Sequence, residues 1–389
     1  MSDASARGSP LPANSGVPAH GYDFPNVSAQ SKRQDMEQVR QVLQKWLAAR
    51  WTQARGIAIS DVLRPDVGTS NETLLFRARW AESGRELSND LVLRIHPSTY
   101  QLYKEPAFAT QYQLLCALHD SRAKHDGCAV RVPAPVLYEA DTRWLGQPFF
   151  VMARIEGRTP GSRPPYNASG WLADATVQQR ERLWHDAMDQ LCRIHRVPAA
   201  AAACLDKPQL GPTGFEQERR YWRESLAWAA EGRSVPMLEE TLEWLDAHLP
   251  AQPLSGLAWG DARIGNMIFN DFEVAGVIDW EQASLGGPLQ DLGWWLFFDA
   301  LHSTAIGLPR LPGLGTRDDT LALWASRTGL EAEGVEWYEI FAGLKLGTIL
   351  IRKLGMEGGI KPGYNANNNL FTRHLAALRG VAQPSDVEY

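Results

Sequence analysis

The chain has no apolar run approaching the ~18 residues that a membrane-spanning helix needs. Its most apolar stretch, Leu292–Phe298, is closed off by Asp291 and Asp299. Basic residues are not in excess. A net charge of −6 argues against a nucleic-acid partner, because that role needs basic patches to displace counterions. Cysteine is scarce, with four in 389 residues, too few for a disulfide framework and in keeping with a reducing, cytoplasmic setting. The N-terminus lacks the basic start and apolar core of a signal peptide, so none is expected. No internal repeat is present.

What the chain does have is order along its length. Residues 1–33 are rich in Ala, Ser, Pro and Gly without periodicity, and read as a mobile tail. Met36, Val39, Val42, Leu43, Trp46 and Leu47 then form a helical stripe. Strand patterns follow at 57–63, 73–80, 91–95, 136–139 and 149–153, with a helix at about 107–119 among them. From Asp174 the pattern turns helical, near 174–195, 215–230, 236–248, 289–301, 318–329, 335–353 and 368–379. Strands first and helices second predict an α+β fold with segregated lobes. The length suits two of them, a nucleotide-binding N-lobe over 34–153 and a C-lobe over 154–389.

The helical half is broken at 257–281, where most of the chemistry is concentrated. Asn266 follows Asp261 by five positions and Asp279 comes thirteen later. Between them, Met267–Phe269 and Val274–Ile278 flank a polar Asn270-Asp271, a hairpin pattern. With the turn near Phe272, cross-strand partners sum to about 545, pairing Phe269 with Gly276 and Asn266 with Asp279. Hard oxygen donors would then meet at the open end of the hairpin. Such a set suits Mg²⁺, which takes few protein ligands and completes its shell with phosphate and water. This is the phosphoryl-transfer layout of kinase-like enzymes, in which a loop Asp receives the hydroxyl proton while an Asn and a later Asp hold the metal. The bland alternative is a surface hairpin whose acids cap turns.

The segment resembles the catalytic core of the aminoglycoside phosphotransferase and choline kinase family, which runs roughly H-G-D-x4-N, I-D-W-E, G-x-P-x-x-D. The last piece is matched by Gly287-Pro288-Leu289-Gln290-Asp291 with Gly286 before it. The resemblance implies a bilobal protein-kinase-like fold and ATP-dependent transfer of phosphate to a small-molecule hydroxyl. Asp261 would be the base, Arg263 would steady the transferring charge, and Asn266 and Asp279 would bind Mg²⁺. Asp291 would fix the loop through its backbone. Trp259 departs from the family's His, and its indole N–H can only donate.

The N-lobe supplies the nucleotide parts of the same reading. Gly68, Thr69, Ser70 and Asn71 match the family's G-x-S-N-x-T turn, where backbone N–H groups approach phosphate. Arg94 takes the place of the third-strand basic residue that grips phosphates. The family's Glu partner falls on Gln111, with Glu105 as a substitute. Met152, Ala153 and Ile155 lie in a stretch that resembles the interlobe hinge, with free backbone groups to read adenine. His195, at a Leu-x-x-Leu-His-like helix end, reads as packing rather than catalytic. Trp294, Trp295, Trp324 and Trp337 read mainly as core near the acceptor pocket. Cys116, His119, His125 and Cys128 carry donors that zinc uses, but their helical setting favours a buried thiol and an ordinary helix-end His. Two other functions stay open: a nucleotide-binding pseudokinase without transfer activity, and a metal-dependent hydrolase using Asp261, Asp279 and Glu281.

Overall fold

The computed structural model describes residues 35–65, 72–97, 101–105, 107–122, 129–356 and 365–386. The turn residues Gly68, Thr69, Ser70 and Asn71 lie outside them. The first half builds an antiparallel five-stranded sheet from β1 (Arg55–Ile59), β2 (Glu72–Glu82), β3 (Arg85–Ile95), β4 (Pro135–Glu139) and β5 (Phe149–Ala153), in the order β1-β2-β3-β5-β4. Helix α1 (Met36–Arg50) covers one face and α2 (Phe108–Arg122) packs on the other side with β4.

Side-chain alternation on β3 sets the two faces apart. Leu91, Leu93 and Ile95 join Val39, Leu43, Trp46 and Leu47 of α1 in one core cluster. Val92 points the other way, with Phe108, Leu114 and Leu118 of α2, into a cluster that continues through the second half of the molecule. Arg94 shares the parity of Val92, so it is turned toward the second half rather than toward α1. The α1 helix is tied down by Trp46, whose indole N–H donates to Glu139 Oε2 at 2.8 Å. Strand β3 is longer than its apolar pattern suggested. Its added residues, Arg85–Asn89, are exposed and form the tip of a hairpin that turns through Ser83 and Gly84, both at positive φ.

The second half holds α3 (Val177–His195), α4 (Gly214–Ala230), α5 (Pro236–Ala247), α6 (Pro288–Leu301), α7 (Arg317–Thr328), α8 (Val335–Met356) and α9 (Leu370–Arg379). Threonine capping boxes start α3, α4 and α7, each satisfying N–H groups that the first helical turn leaves open. Helix α8 is the central rod, packed by α4, α5, α6 and α9. No helix among the described residues is long and apolar enough to cross a membrane. Of the four proposed zinc donors, Cys116 and His119 sit on α2, with Cys116 only half-buried, while His125 and Cys128 are outside the described residues. Among the described residues no group of three His, Cys, Asp or Glu side chains could hold a metal ion.

The expected hairpin forms from β6 (Met267–Asn270) and β7 (Glu273–Val277), but in a different register. Phe269 faces Val274, and Ile268 faces Gly276, with an irregularity between them. The turn is centred one residue earlier than the expected pairing requires, because Asp271 and Phe272 both adopt positive φ, 48° and 61°. That is a two-residue turn whose twist suits a hairpin, and a phenylalanine gives little local hint of it. Asp186 of α3 holds the hairpin in place by accepting from Val274 N at 2.7 Å and from Arg131 Nη1 at 2.6 Å.

Helices α6 and α8 meet at Gly293. A Cβ there would lie 2.5 Å from the Tyr338 carbonyl carbon, closer than packed atoms allow. Gly293→Ala is therefore expected to part the helices and cost about 1–3 kcal/mol. Denaturant unfolding measures this, and an unchanged midpoint would show that the contact is slack.

Candidate active site

The loop 258–266 is shaped before any of its side chains is considered. Ala258 exchanges backbone hydrogen bonds with Ser284 at 2.9 and 3.0 Å. Gly260 has φ +95°, and a Cβ on it would lie 2.2 Å from Gln282 O. Only glycine fits both the conformation and the gap. The backbone N–H groups of Trp259 and Gly260 then converge on Asp291, at 2.6 and 2.7 Å.

Asp291 is fully buried on α6, and His195 Nε2 lies 3.1 Å from its Oδ2. Trp324 donates its indole N–H to His195 Nδ1 at 2.9 Å. With Nδ1 accepting, the neutral ring carries its proton on Nε2 and donates to Asp291. His195 thus does more than pack: it orients the carboxylate that holds the loop. Trp259 is fully buried, and its indole donates to Ile278 O at 2.9 Å. It braces the loop against the residue before Asp279 with the donor an indole has.

Asp261 receives three side chains. Asn266 Nδ2 donates to Oδ2 at 2.6 Å, while Arg263 Nε and Trp294 Nε1 donate to Oδ1 at 3.0 and 2.8 Å. A carboxylate offers roughly four acceptor positions, so Oδ2 keeps room for one more proton donor. Arg263 also donates to Ser162 Oγ at 3.2 Å and lies 5.5 Å from the Phe298 ring. A short 3-10 turn, Ile264–Asn266, leads from this loop into β6. Asn266 O accepts from Ile278 N at 3.0 Å, which sets Asn266 beside the residue preceding Asp279 despite the shifted register.

Asp279 sits at φ +65°, where the chain leaves β7. Its Oδ1 is buried without a hydrogen-bond partner. Burial raises its carboxyl above the ordinary range; Arg94 opposes the rise, Asp261 adds to it, and Arg263 opposes it. Arg94, from the sheet, has a buried Nε that also lacks a partner. An orphaned carboxylate oxygen, a second carboxylate and an amide oxygen make a set of hard oxygen donors, which fits a hard divalent cation.

The remaining predicted residues divide. Among the described residues no hydrogen bond joins Arg94 to Gln111 or Glu105; Gln111 is buried and Glu105 exposed. At the hinge, Ala153 N–H is not free but donates to Ala134 O at 2.8 Å, and Arg154 N–H donates to Asp90 O at 2.9 Å. The cause is that β5 lies between β3 and β4, so both of its edges are paired. Met152 pairs with Val92, and the Ile155 side chain packs over Gly276 of the hairpin.

Sequence reasoning missed three contributors. Trp294 was read as core, yet it is a direct donor to Asp261. Tyr103, in a segment anchored to α8 by Arg352 Nε donating to Gln101 O at 3.0 Å, stands near the acids. Its phenol is pushed well up by burial, then by Glu281, Asp279 and Asp261. Tyr166, Trp295, Phe298 and His302 line a narrow cleft beside Arg263. Burial brings the His302 ring down to about 4, so it is uncharged there. No local pattern marks these residues, because each acts across a tertiary contact.

The sequence profile of the phosphotransferase enzyme family matches residues 61–325. Among solved structures, a Ralstonia eutropha JMP134 chain assigned provisionally to the aminoglycoside phosphotransferases superposes with a TM-score of 0.63 at 21% identity, over 88% of this chain and 99% of that one. The GDP and kanamycin complex of APH(2″)-IIia gives 0.50 at 16% identity, over 86% and 97%. These likenesses show a protein-kinase-like fold. Curated relatives include mouse acyl-CoA dehydrogenase family member 10, 29% identical over 67% of this chain but 22% of its own length. The probable acyl-CoA dehydrogenase IBR3 of Arabidopsis thaliana is 28% identical over 58% of this chain and 26% of its own length. The chain therefore spans about a quarter of these relatives.

Trp259→His would keep a donor at the brace but leave part of a closed indole site empty. The expected result is a folded variant, less stable by about 1–3 kcal/mol, with its central activity within about tenfold of the parent. Thermal melting beside turnover checks both. A stable but inactive variant would show that the indole itself shapes the site.

Proposed function

The chain belongs to the phosphotransferase enzyme family, and on that premise we propose that it moves the γ-phosphate of ATP to a hydroxyl of a small molecule. One observation carries this reading: Asp261 is held at both oxygens beside the orphaned Asp279 carboxylate, with Arg94 of the other lobe facing the same point. In this reading the 34–153 lobe grips the nucleotide and the 154–389 lobe presents the acceptor.

Asp261 Oδ2 takes the acceptor's hydroxyl hydrogen bond and then its proton. The Trp294 and Arg263 donors keep Oδ1 from rotating into that place. Asn266 Oδ1 and the Asp279 carboxylate would hold Mg²⁺, which would supply positive charge to offset that of the phosphates. Arg94 reaches the phosphates from the sheet, and the phosphate contacts that the family motif implies are assigned to Gly68, Thr69, Ser70 and Asn71, outside the described residues. Arg263, between Asp261 and the aromatic cleft, steadies charge on the transferring group. Met152, Ala153 and Ile155 contact the adenine side, with the paired Ala153 and Arg154 N–H groups leaving its edge to be read by other atoms.

The absence of an Arg94 ion pair on α2 keeps a nucleotide-binding pseudokinase as the second reading. A thermal shift with MgATP but no ADP release over a panel of alcohols would favour it. Hydrolysis of the acceptor without nucleotide would instead favour a metal-dependent hydrolase.

Asp261→Ala is expected to lower transfer by about 10²–10⁴-fold with nucleotide affinity nearly intact. Activity within about tenfold of the parent would remove Asp261 from the role. Asp279→Asn is expected to abolish most of the Mg²⁺ dependence of nucleotide affinity, read by titration with and without the metal. Full retention of that dependence would place the metal elsewhere.

A further inference from the structure

We infer that Lys345 is a positioning residue for phosphoryl transfer, acting through Trp294 on the Asp261 carboxylate; the assignment rests on the function proposed above. Lys345 lies on the central helix α8 with its side chain 3% exposed. Its ammonium stands 5.0 Å from the Trp294 ring centre, 5.2 Å from that of Trp222 and 5.9 Å from that of Phe341. Its acidic partner, Glu218 Oε2, is 3.9 Å away and already accepts from Trp222 Nε1 at 3.1 Å. The ammonium is thus held mainly by aromatic faces.

Such a charge is costly to bury, and an apolar side chain of similar length would fill the space more cheaply. Its place accounts for the cost. Trp294 shows one face to Lys345 and points its N–H at Asp261 Oδ1, 2.8 Å away. It follows Asp291 by three positions on α6, so both residues share the helix face turned to the loop. A cation against an indole ring is attracted to its π-density. That fixes the ring's orientation and makes its N–H a stronger donor. Burial pulls the Lys345 ammonium below its ordinary range, and Glu218, Asp291 and Asp261 work against that fall by favouring its charged form.

The test uses the full chain with MgATP as probe and water as phosphate acceptor, so no acceptor need be known. Lys345→Met is expected to slow ADP release about thirtyfold, the rate equivalent of one desolvated cation–π contact. The KM for MgATP should not change, while the melting temperature should fall because Glu218 loses its buried counter-charge. Trp294→Phe should also slow release. The double variant should be no slower than Trp294→Phe alone, because both changes remove one shared interaction. A lysine with a merely structural role would lower the melting temperature in the same way but leave turnover per folded molecule unchanged. The Trp294 indole N–H resonance, identified by its loss in Trp294→Phe, should move in Lys345→Met. Parental turnover in Lys345→Met, losses that multiply in the double variant, or an unmoved resonance would each overturn the inference. If Lys345→Met does not fold, Lys345→Gln replaces it. If the parent releases no ADP with water, the resonance alone decides whether Lys345 acts on Trp294, and the phosphotransferase reading is judged by the panel of alcohols.

Discussion

The geometry of the candidate site depends on one buried carboxylate. Asp291 has no contact with solvent, yet three donors meet on it: the Trp259 and Gly260 backbone N–H groups and His195 Nε2. Hydrogen bonds to a charged group contribute about 1.5–3 kcal/mol each, and leaving such a charge unpaired costs more. The loop bearing Asp261 is therefore held by its backbone, independent of what its side chains do. The support continues outward, because Trp324 of α7 selects the His195 tautomer that donates. Helices α3, α6 and α7 are thereby joined at a point that no solvent reaches.

Upon that anchor the loop side chains can be specialised. Asp261 spends three of its acceptor positions on Asn266, Arg263 and Trp294, and these bonds orient its remaining lone pair. Asp279 is treated in the opposite way, with one oxygen buried and given no donor. In the proposed function, the contrast between a satisfied carboxylate and an unsatisfied one would separate a proton acceptor from a cation ligand within one loop and hairpin. Opposite charges from both halves of the molecule, Arg94 and Arg263, then bear on Asp279, so the point where they meet suits a phosphate chain with its metal.

Connections between the halves add to this. The chain leaving β5 runs directly onto the hairpin, where Arg158 and Phe269 exchange backbone hydrogen bonds at 3.0 and 2.9 Å. On the far side, Arg352 of α8 binds Gln101 O and lies 4.0 Å from the Trp228 ring. The two halves are thus fastened at two further points beside the candidate site.

The order of strands and helices, the loop with Asp261 and Asn266, the hairpin and the Asp291 motif were all legible in the sequence. Each is a local signal: periodicity of two or 3.6, turn residues, and fixed spacing between polar groups. Where reading stopped, the cause was physical. The hairpin register turned on Phe272 adopting a positive φ, which side-chain type scarcely marks. The bonded state of the hinge N–H groups depended on β5 becoming an inner strand. Trp259 looked like a departure from the pattern until its indole was seen to donate to Ile278. Trp294 looked like core because its spacing is that of a buried helix face, and it is indeed buried. Sequence by itself determined which elements form and which loop carries the chemistry. Only the packing of α4, α6 and α8 decided which buried side chains reach that loop, because hydrogen bonds and cation–π contacts between distant positions exist only once the helices have met.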